Sequence, residues 1–171
     1  ATIQGEGPNT GVPCVFIRLS LCNLHCVWCD TPYTFNWEGT NFNHIDNVTG
    51  ENKKYDPCKE IVDMTSYEIV HQVVSLARNN IKHVVITGGE PLVQRNSDAF
   101  EALLFALRNR GFYIEIETNG TLVPNENISD LVDRFNVSPK LENSKNSVKA
   151  RERKSAYEYF SNSSKSLFKF V

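Results

Sequence analysis

The chain has 171 residues, of which 40% are hydrophobic, and a formal net charge of -2. These values fit one domain with a normal core and exclude a strongly basic nucleic-acid-binding surface. No apolar run approaches the ~18 residues that a membrane-spanning helix needs. Five cysteines, three of them bunched together, do not suit a disulfide framework in a chain this long. We therefore expect a cytoplasmic protein that contacts neither a membrane nor nucleic acid directly.

The amino-terminal part predicts a loop that leads into a strand. Residues 3–8 are too rich in glycine and proline for a regular element. Cys14–Ser20 is the first predicted strand, and its alternation places Val15, Ile17 and Leu19 on one face and Cys14, Phe16, Arg18 and Ser20 on the other. Because the chain begins with Ala1 rather than Met, and its last segment reads as a strand that stops without a turn, we expect a fragment truncated at both ends.

Three cysteines, Cys22, Cys26 and Cys29, follow the first predicted strand directly. A structural zinc site needs four protein ligands, and a closed iron–sulfur cluster needs a thiolate for each iron. Three thiolates would leave one iron of a 4Fe-4S cluster open for chemistry. The alternative is a zinc site that His25 or Cys58 completes.

Residues 36–63 are polar, rich in asparagine and aperiodic, and they predict a surface insertion. His44 and Cys58 lie in it without a ligand partner at a recognisable spacing, so we expect both to be ordinary loop residues. Thr65 and Glu68 then form a capping box, and apolar residues at helical spacing continue the helix to about Asn79.

From residue 82 onward, strands and helices alternate. The predicted elements are a strand at Lys82–Thr87, a helix at Ser97–Arg110 closed by Gly111, a strand at Phe112–Thr118, a short helix at Ser129–Arg134, a strand at Phe135–Ser138, a helix at Glu152–Phe160 and a strand at Ser166–Val171. Strands separated by helices pair in parallel with right-handed crossovers. We therefore expect an α/β fold, an open, partial parallel β/α barrel, as a single domain over residues 1–171.

Each predicted strand has one aliphatic face and one partly polar face. Arg18, Glu115 and Glu117 lie in the polar rows, where a charge costs several kcal/mol unless it has a partner. This pattern favours a ligand cavity, and interior groups that satisfy one another are the alternative.

The unusual short motifs come just after the carboxyl ends of strands, where ligands bind in parallel sheets. The motif at residues 88–91, Gly-Gly-Glu-Pro, would let the backbone approach a small molecule, with Glu90 accepting hydrogen bonds from an ammonium group. A tight strand-to-helix turn is the alternative. Asn119-Gly120 and Pro139-Lys140 follow later strands in the same way.

The three-cysteine loop, with Trp28 before its last cysteine, and the Gly-Gly-Glu-Pro motif together resemble the radical S-adenosylmethionine (SAM) enzymes. The resemblance implies that Cys22, Cys26 and Cys29 hold a 4Fe-4S cluster whose open iron binds SAM. An electron donor such as flavodoxin would reduce it. The positions that correspond to cofactor contacts in that family are Trp28, Cys29, Asp30, Gly89, Glu90, Ser138, Pro139 and Lys140.

Within that superfamily, residues 3–7, Arg18 and Asp30-Thr31 are similar to the 7-carboxy-7-deazaguanine synthases. These lyases convert 6-carboxy-5,6,7,8-tetrahydropterin to 7-carboxy-7-deazaguanine with loss of ammonia, on the route to queuosine. The resemblance implies that Arg18 pairs with the substrate carboxylate and that Thr31 ligates Mg²⁺. The other implied substrate contacts are Ile3, Gln4, Gly5, Glu6 and Thr87.

The resemblance leaves several points as expectations. Without it, the Thr31 hydroxyl would be interpreted as a loop cap. We expect a homodimer. An activase that places a glycyl radical on a partner protein and a non-catalytic zinc-binding module are the alternative functions.

Overall fold

The fold is described from a computed structural model, which describes residues 1–42, 44–45, 49–78 and 80–170. The strands are β1 (Thr2–Ile3), β2 (Pro13–Leu19), β3 (His83–Gly88), β4 (Tyr113–Thr118), β5 (Arg134–Val137) and β6 (Ser166–Phe168). The helices are α1 (Pro57–Glu60), α2 (Ser66–Ala77), α3 (Asp98–Arg108), α4 (Glu126–Leu131), α5 (Val148–Arg151) and α6 (Lys154–Asn162). Among these residues, no helix has the length and apolar content to cross a bilayer.

The six strands form one open sheet in the order β1-β2-β3-β4-β5-β6. Neighbours from β2 to β6 are parallel, and helices lie in the crossovers. The predicted α/β fold with an open, mostly parallel sheet is confirmed. Strand β1 differs, because it pairs antiparallel with β2 and its residue Ile3, opposite Pro13, lies in the stretch predicted to be a loop. A strand of two residues beside glycines is too short to produce a periodic pattern.

The aliphatic faces form the core as predicted. Alternate residues of β2 to β5 pack against α2, α3, α4 and α6 in one buried cluster that includes Val15, Ile17, Val84, Ile86, Ile114, Ile116, Phe135 and Val137. Burying side chains of this size contributes about 1.5–3 kcal/mol each. Because this face holds the helices, the polar rows of the same strands lie on the opposite face, where a site can form.

Several predicted boundaries were wrong. Helix α4 begins three residues early because the side chain of Asn125 caps it, accepting from the backbone N–H of Ile128. Arg134 therefore belongs to β5. The helix predicted at Glu152–Phe160 begins two residues later, as α6 at Lys154, because Glu152 and Arg153 are extended, and the short helix α5 before it was not predicted. The capping box of Thr65 and Glu68 opens α2 as predicted, whereas Asn79 and Val171, the predicted ends of a helix and a strand, lie outside the described residues.

Candidate active site

A cavity of about 690 Å³ opens on the polar face of the sheet, at the carboxyl ends of the parallel strands. Every predicted site residue except Glu90 and Pro139 lines it. These residues are Ile3, Gln4, Gly5, Glu6, Arg18, Cys22, Cys26, Trp28, Cys29, Asp30, Thr31, Thr87, Gly89, Ser138 and Lys140. The fold therefore brings motifs from the two ends of the chain to one place, as the order of strands predicts.

The cysteine loop presents all of its thiols to this cavity. The ring of His25 instead stacks on Phe42, with 3.5 Å between ring centroids, and Cys58 is exposed in α1. Within residues 1–42, 44–45, 49–78 and 80–170, no three His, Cys, Asp or Glu side chains form a group that could hold a single metal ion. This arrangement does not support a zinc site that His25 or Cys58 completes.

The chemistry of the three sulfur ligands fits an iron–sulfur cluster. Burial raises the pKa of the Cys22 thiol to about 12, and it also raises the pKa of Cys26 and Cys29. The positive charge of Lys140 opposes the rise at Cys26 and Cys29. Thiols in this setting deprotonate when a cationic centre binds them, because metal binding releases the proton.

Two glycines fix how the cysteine loop leaves β2. A Cβ atom on Gly88 would lie 2.2 Å from the carbonyl oxygen of Leu19, and one on Gly89 would lie 2.0 Å from that of Leu21. The N–H of Gly89 donates to the Leu19 carbonyl at 2.9 Å. Both glycines therefore let this turn approach the backbone at the start of the cysteine loop. This agrees with the alternative interpretation of the motif as a tight strand-to-helix turn. Gly89 also lines the cavity, so the predicted approach to a ligand stays a prediction.

Glu90 holds the same turn against β4. Its carboxylate is fully buried and accepts hydrogen bonds from Leu92 N at 3.0 Å, Thr118 Oγ1 at 2.8 Å and Asn119 N at 2.6 Å. Burial raises the pKa of Glu90, and these hydrogen bonds act against the rise. The geometry assigns the Glu90 carboxylate to protein donors. Its predicted contact with SAM, and that of Pro139, stay predictions, since neither residue lines the cavity.

Asn23 and Thr121, which the sequence analysis did not single out, join Asn119 in tying the cysteine loop to the end of β4. Asn23 accepts from Asn119 Nδ2 at 3.0 Å and donates to Thr121 Oγ1 at 2.8 Å. Thr121 in turn donates to Asn119 Oδ1. An asparagine between cysteines gives no signal in a single sequence, because its partners lie almost a hundred residues away.

The insertion covers the cysteine loop. Phe42 stacks on His25, and His44 Nε2 donates to the Cys29 carbonyl at 2.6 Å. His44 lies outside the regular elements and is buried, with 3% of its surface exposed. Cys58 is exposed but lies in α1 rather than in a loop. That neither residue is a metal ligand stays a prediction. Aromatic residues placed without a period form this packed segment, so periodicity could not reveal it.

The polar face of the sheet contains both a cavity wall and interior groups that satisfy one another. Glu115 is fully buried and accepts hydrogen bonds from the side chains of Gln4, Asn9, His83 and Asn136, so interior groups satisfy it. Arg18 and Glu117 instead line the cavity. The polar row thus divides into a satisfied part at Glu115 and a cavity wall nearer the carboxyl ends of the strands.

We expect Glu115→Gln to destabilise the fold most at neutral pH. Burial acts to raise the pKa of Glu115, but the hydrogen bonds from His83, Asn9 and Gln4 lower it below its ordinary value. This stabilisation is therefore present above the ordinary glutamate pKa of about 4.3 and is lost as the pH falls through the lower, folded-state pKa. In the variant an amide replaces the carboxylate, and its NH₂ group faces hydrogen-bond donors from which it cannot accept. The loss of these bonds costs about 2–4 kcal/mol.

Urea unfolding of this variant at neutral and at acidic pH tests the expectation. The difference in free energy of unfolding from the parent protein should shrink in acid. Glu142→Gln, on an exposed residue, is the control and should show little difference at either pH. An equal cost at both pH values would contradict the role of the Glu115 charge.

Arg18 is a cavity cation without a protein counter-ion. Its side chain is exposed, and the guanidinium carbon lies 5.7 Å from the centroid of the Phe16 ring. Among the residues that the structure describes, no carboxylate forms an ion pair with it. Lys169, which the sequence analysis missed, also lines the cavity and pairs with Glu6. The unpaired guanidinium is suited to bind an anionic group of a ligand.

Lys140 and Trp28 form the wall beside the cysteines. The ammonium of Lys140 lies 5.4 Å from the centroid of the Trp28 ring and donates to Ser138 Oγ at 3.1 Å. Trp28 Nε1 is buried, and no described residue accepts its hydrogen bond. A buried donor without a partner is costly, so this part of the wall fits a ligand that supplies an acceptor.

The radical SAM superfamily model matches residues 17–167. The chain is 36% identical to the 7-carboxy-7-deazaguanine synthase of Pyrobaculum aerophilum over all of its own length and 63% of that protein. Against the 7-carboxy-7-deazaguanine synthase of Escherichia coli the identity is 37%, over 70% of this chain and 50% of that one. The chain thus spans about two fifths to two thirds of the length of the curated relatives it matches.

Solved structures agree with these matches. The crystal structure of QueE from Escherichia coli has a TM-score of 0.58 and 31% identity, over 92% of this chain and 64% of that one. BtrN, in complex with AdoMet and 2-DOIA, has a TM-score of 0.54 and 15% identity, over 93% of this chain and 56% of that one, which shows the shared fold alone. With the family model matching most of its length, this chain belongs to the radical SAM superfamily.

Proposed function

We propose that the protein containing this chain converts 6-carboxy-5,6,7,8-tetrahydropterin to 7-carboxy-7-deazaguanine with loss of ammonia. One observation carries the proposal. A single cavity joins the three cysteines to the unpaired guanidinium of Arg18 and to residues 3–6. The names of the similar proteins support the same reaction.

Cys22, Cys26 and Cys29 hold a 4Fe-4S cluster in this proposal, and SAM binds beside it. When bound, this pair supplies one-electron cleavage of SAM to a 5'-deoxyadenosyl radical. The chain's own contribution is to hold and shield the reactants. Trp28 and Lys140 form the cofactor wall together with Asp30, Gly89 and Ser138, and the packed insertion screens the cysteine loop from water.

The substrate side is the part of the cavity that Arg18, Thr87 and residues 3–6 line. Arg18 pairs with the pterin carboxylate, because a guanidinium binds a carboxylate with two parallel hydrogen bonds. Gln4 Nε2 donates to Glu115 and Glu117, which fixes residues 3–6 at the wall where they read the pterin edge. Thr87, which lies opposite Arg18 in the pairing of β2 with β3, hydrogen-bonds the substrate.

We extend the proposal to one magnesium ion. Thr31 Oγ1 donates to the Gly88 carbonyl at 3.3 Å and lies 3.6 Å from Cys29 Sγ. Its hydroxyl would bind Mg²⁺ together with a substrate carboxylate and water, because Mg²⁺ prefers oxygen ligands and retains several waters. A flavodoxin-type electron donor, a homodimer and a cytoplasmic location complete the proposal and rest on the family resemblance.

The direct test is turnover by the full-length protein. Anaerobically reconstituted enzyme is incubated with SAM, reductant, Mg²⁺ and the carboxypterin, and the product is identified by mass. The deazaguanine product supports the proposal. A reconstituted cluster that cleaves SAM but leaves the carboxypterin unchanged would contradict it and would favour a different substrate, such as the partner protein of an activase.

We expect Arg18→Ala to separate substrate binding from cofactor chemistry. Loss of the guanidinium removes about 2–3 kcal/mol of carboxylate binding, which is about 30- to 150-fold in kcat/KM, mostly through KM. Iron content and slow cleavage of SAM without substrate should persist, because the guanidinium is not on the cysteine loop. Arg110→Ala, at an exposed arginine away from the cavity, is the matched control. Loss of the cluster in Arg18→Ala would refute this role.

A further inference from the structure

The segment after β5 reaches the cysteine loop through Asn146. Its Oδ1 accepts from the backbone N–H of His25 at 2.9 Å, and its Nδ2 lies 3.3 Å from Cys26 Sγ. Two residues further along the cysteine loop, Val27 N donates to the Ser144 carbonyl at 3.2 Å. Two segments about 120 residues apart in sequence are thus joined next to the middle cysteine.

The orientation of the Asn146 amide follows from these contacts. A backbone N–H can only donate, so the group that faces His25 N must be the amide oxygen. The NH₂ group then faces Cys26 Sγ, where it can donate to sulfur. The nitrogen of this NH₂ group also lies 3.2 Å from Ser144 Oγ. One of its two hydrogens can therefore face Cys26 Sγ and the other Ser144.

The donor to Cys26 is a side-chain amide, whereas backbone groups of Leu24 and Thr31 hydrogen-bond Cys22 and Cys29. Cys26 has 7% of its surface exposed, and Asn146 brings it an amide donor. Cys29 Sγ faces the hydroxyl of Thr31, whose hydrogen bond to the Gly88 carbonyl competes for the same proton. A hydrogen bond in a poorly solvated place is stronger than one in water.

We propose that Asn146 is a positioning residue that donates Nδ2–H to the Cys26 thiolate and so raises the reduction potential of the bound cluster. The inference rests on the cluster in the proposed function and assigns no role toward the pterin. Reduction adds negative charge to the cluster and its thiolates. A donor aimed at one sulfur therefore stabilises the reduced state more than the oxidised state, as hydrogen bonds to cluster sulfurs do generally.

Asn146→Asp is the sharpest test. The carboxylate keeps an acceptor for His25 N–H and the shape of the side chain, but it loses the hydrogen that faces Cys26 Sγ and the one that faces Ser144. In the reconstituted full-length protein, without substrate, we expect reduction to become about tenfold less favourable, a shift of about 59 mV to lower potential. Electron paramagnetic resonance during a redox titration measures the midpoint.

Asn143→Asp is the matched control, because it places the same charge on an exposed residue of the same turn. A normal iron content with the same midpoint in Asn146→Asp and Asn143→Asp would overturn the inference. Failure of folded Asn146→Asp to retain the cluster, while Asn143→Asp retains it, would support the positioning role. Asn146→Ala removes the contact with His25 as well and should lower iron content further than Asn146→Asp.

The outcome is separable from that of the proposed function. The midpoint is measured without carboxypterin, so failed turnover with a shifted midpoint would leave the Asn146 inference intact. Turnover with an unshifted midpoint would overturn the inference alone. A parent protein that binds no iron after reconstitution would refute both.

Discussion

We expect Cys26→Ala to abolish cluster binding and all chemistry that depends on it. The side chain is the middle one of three thiols on the same cavity, and no other cysteine is placed to replace it, because Cys14 lies in β2 and Cys58 is exposed in α1. Two thiolates cannot hold a 4Fe-4S cluster that already leaves one iron open. Reconstituted variant should therefore be colourless, with iron and SAM cleavage at background.

We expect Cys26→Ala to leave folding nearly unaffected. Loss of the cluster in a folded variant would then reflect the missing ligand and not a damaged fold. Cys26→Ala removes one small buried atom, and such a change costs about 1 kcal/mol. Cys58→Ala is the control, since that thiol is exposed outside the cavity, and it should retain colour, iron and activity. A brown Cys26→Ala protein with normal iron content would show that the cluster ligands are assigned wrongly.

The parts of this fold that follow from one sequence are those with a local pattern. Strands β2 to β5 alternate in a two-residue period, and their aliphatic residues occupy the core as that period requires. The capping box at Thr65 and Glu68 is likewise local and starts α2 as predicted. Because the order of the elements determines where the loops lie, most predicted site residues meet on one cavity.

The contacts that hold the cysteine loop do not follow from a local pattern. Asn23 in the loop is held by the side chain of Asn119, and the side chains of His44 and Asn146 bond to the loop from elsewhere in the chain. Many exposed residues of this asparagine-rich sequence are polar too, so residue type alone does not identify these three. Only the packing of the insertion and of the segment after β5 reveals which of them is bound to the loop.

The two glycines of the motif at residues 88–91 show a different limit. Their lack of a side chain was correctly associated with close approach, but a sequence does not say what approaches. In the structure the neighbour is the backbone of residues 19–22, and Leu21 itself has a φ of 75°, a left-handed conformation that costs a non-glycine residue about 1 kcal/mol or more. Hydrogen bonds to Thr34 O and from Glu90 N hold Leu21 in this conformation.

We therefore expect Gly89→Ala to damage both the fold and the cysteine loop. The added Cβ would lie 2.0 Å from the carbonyl oxygen of Leu21 and 2.6 Å from its carbonyl carbon, and backbone atoms cannot rotate away as a flexible side chain can. Separating the two segments breaks the Glu90 N–H bond to the Leu21 carbonyl and displaces the start of the cysteine loop. The expected loss is about 3 kcal/mol or more in free energy of unfolding.

The measurement is urea unfolding of the apoprotein together with iron content after reconstitution, and both should fall in Gly89→Ala. Gly5→Ala is the control for folding, because a Cβ there meets nothing within 4 Å. Since Gly5 also lines the cavity, its variant should keep stability and iron whatever happens to turnover. If Gly89→Ala unfolded at the same urea concentration as Gly5→Ala and held the same iron, the close backbone approach would not be what positions the cysteines.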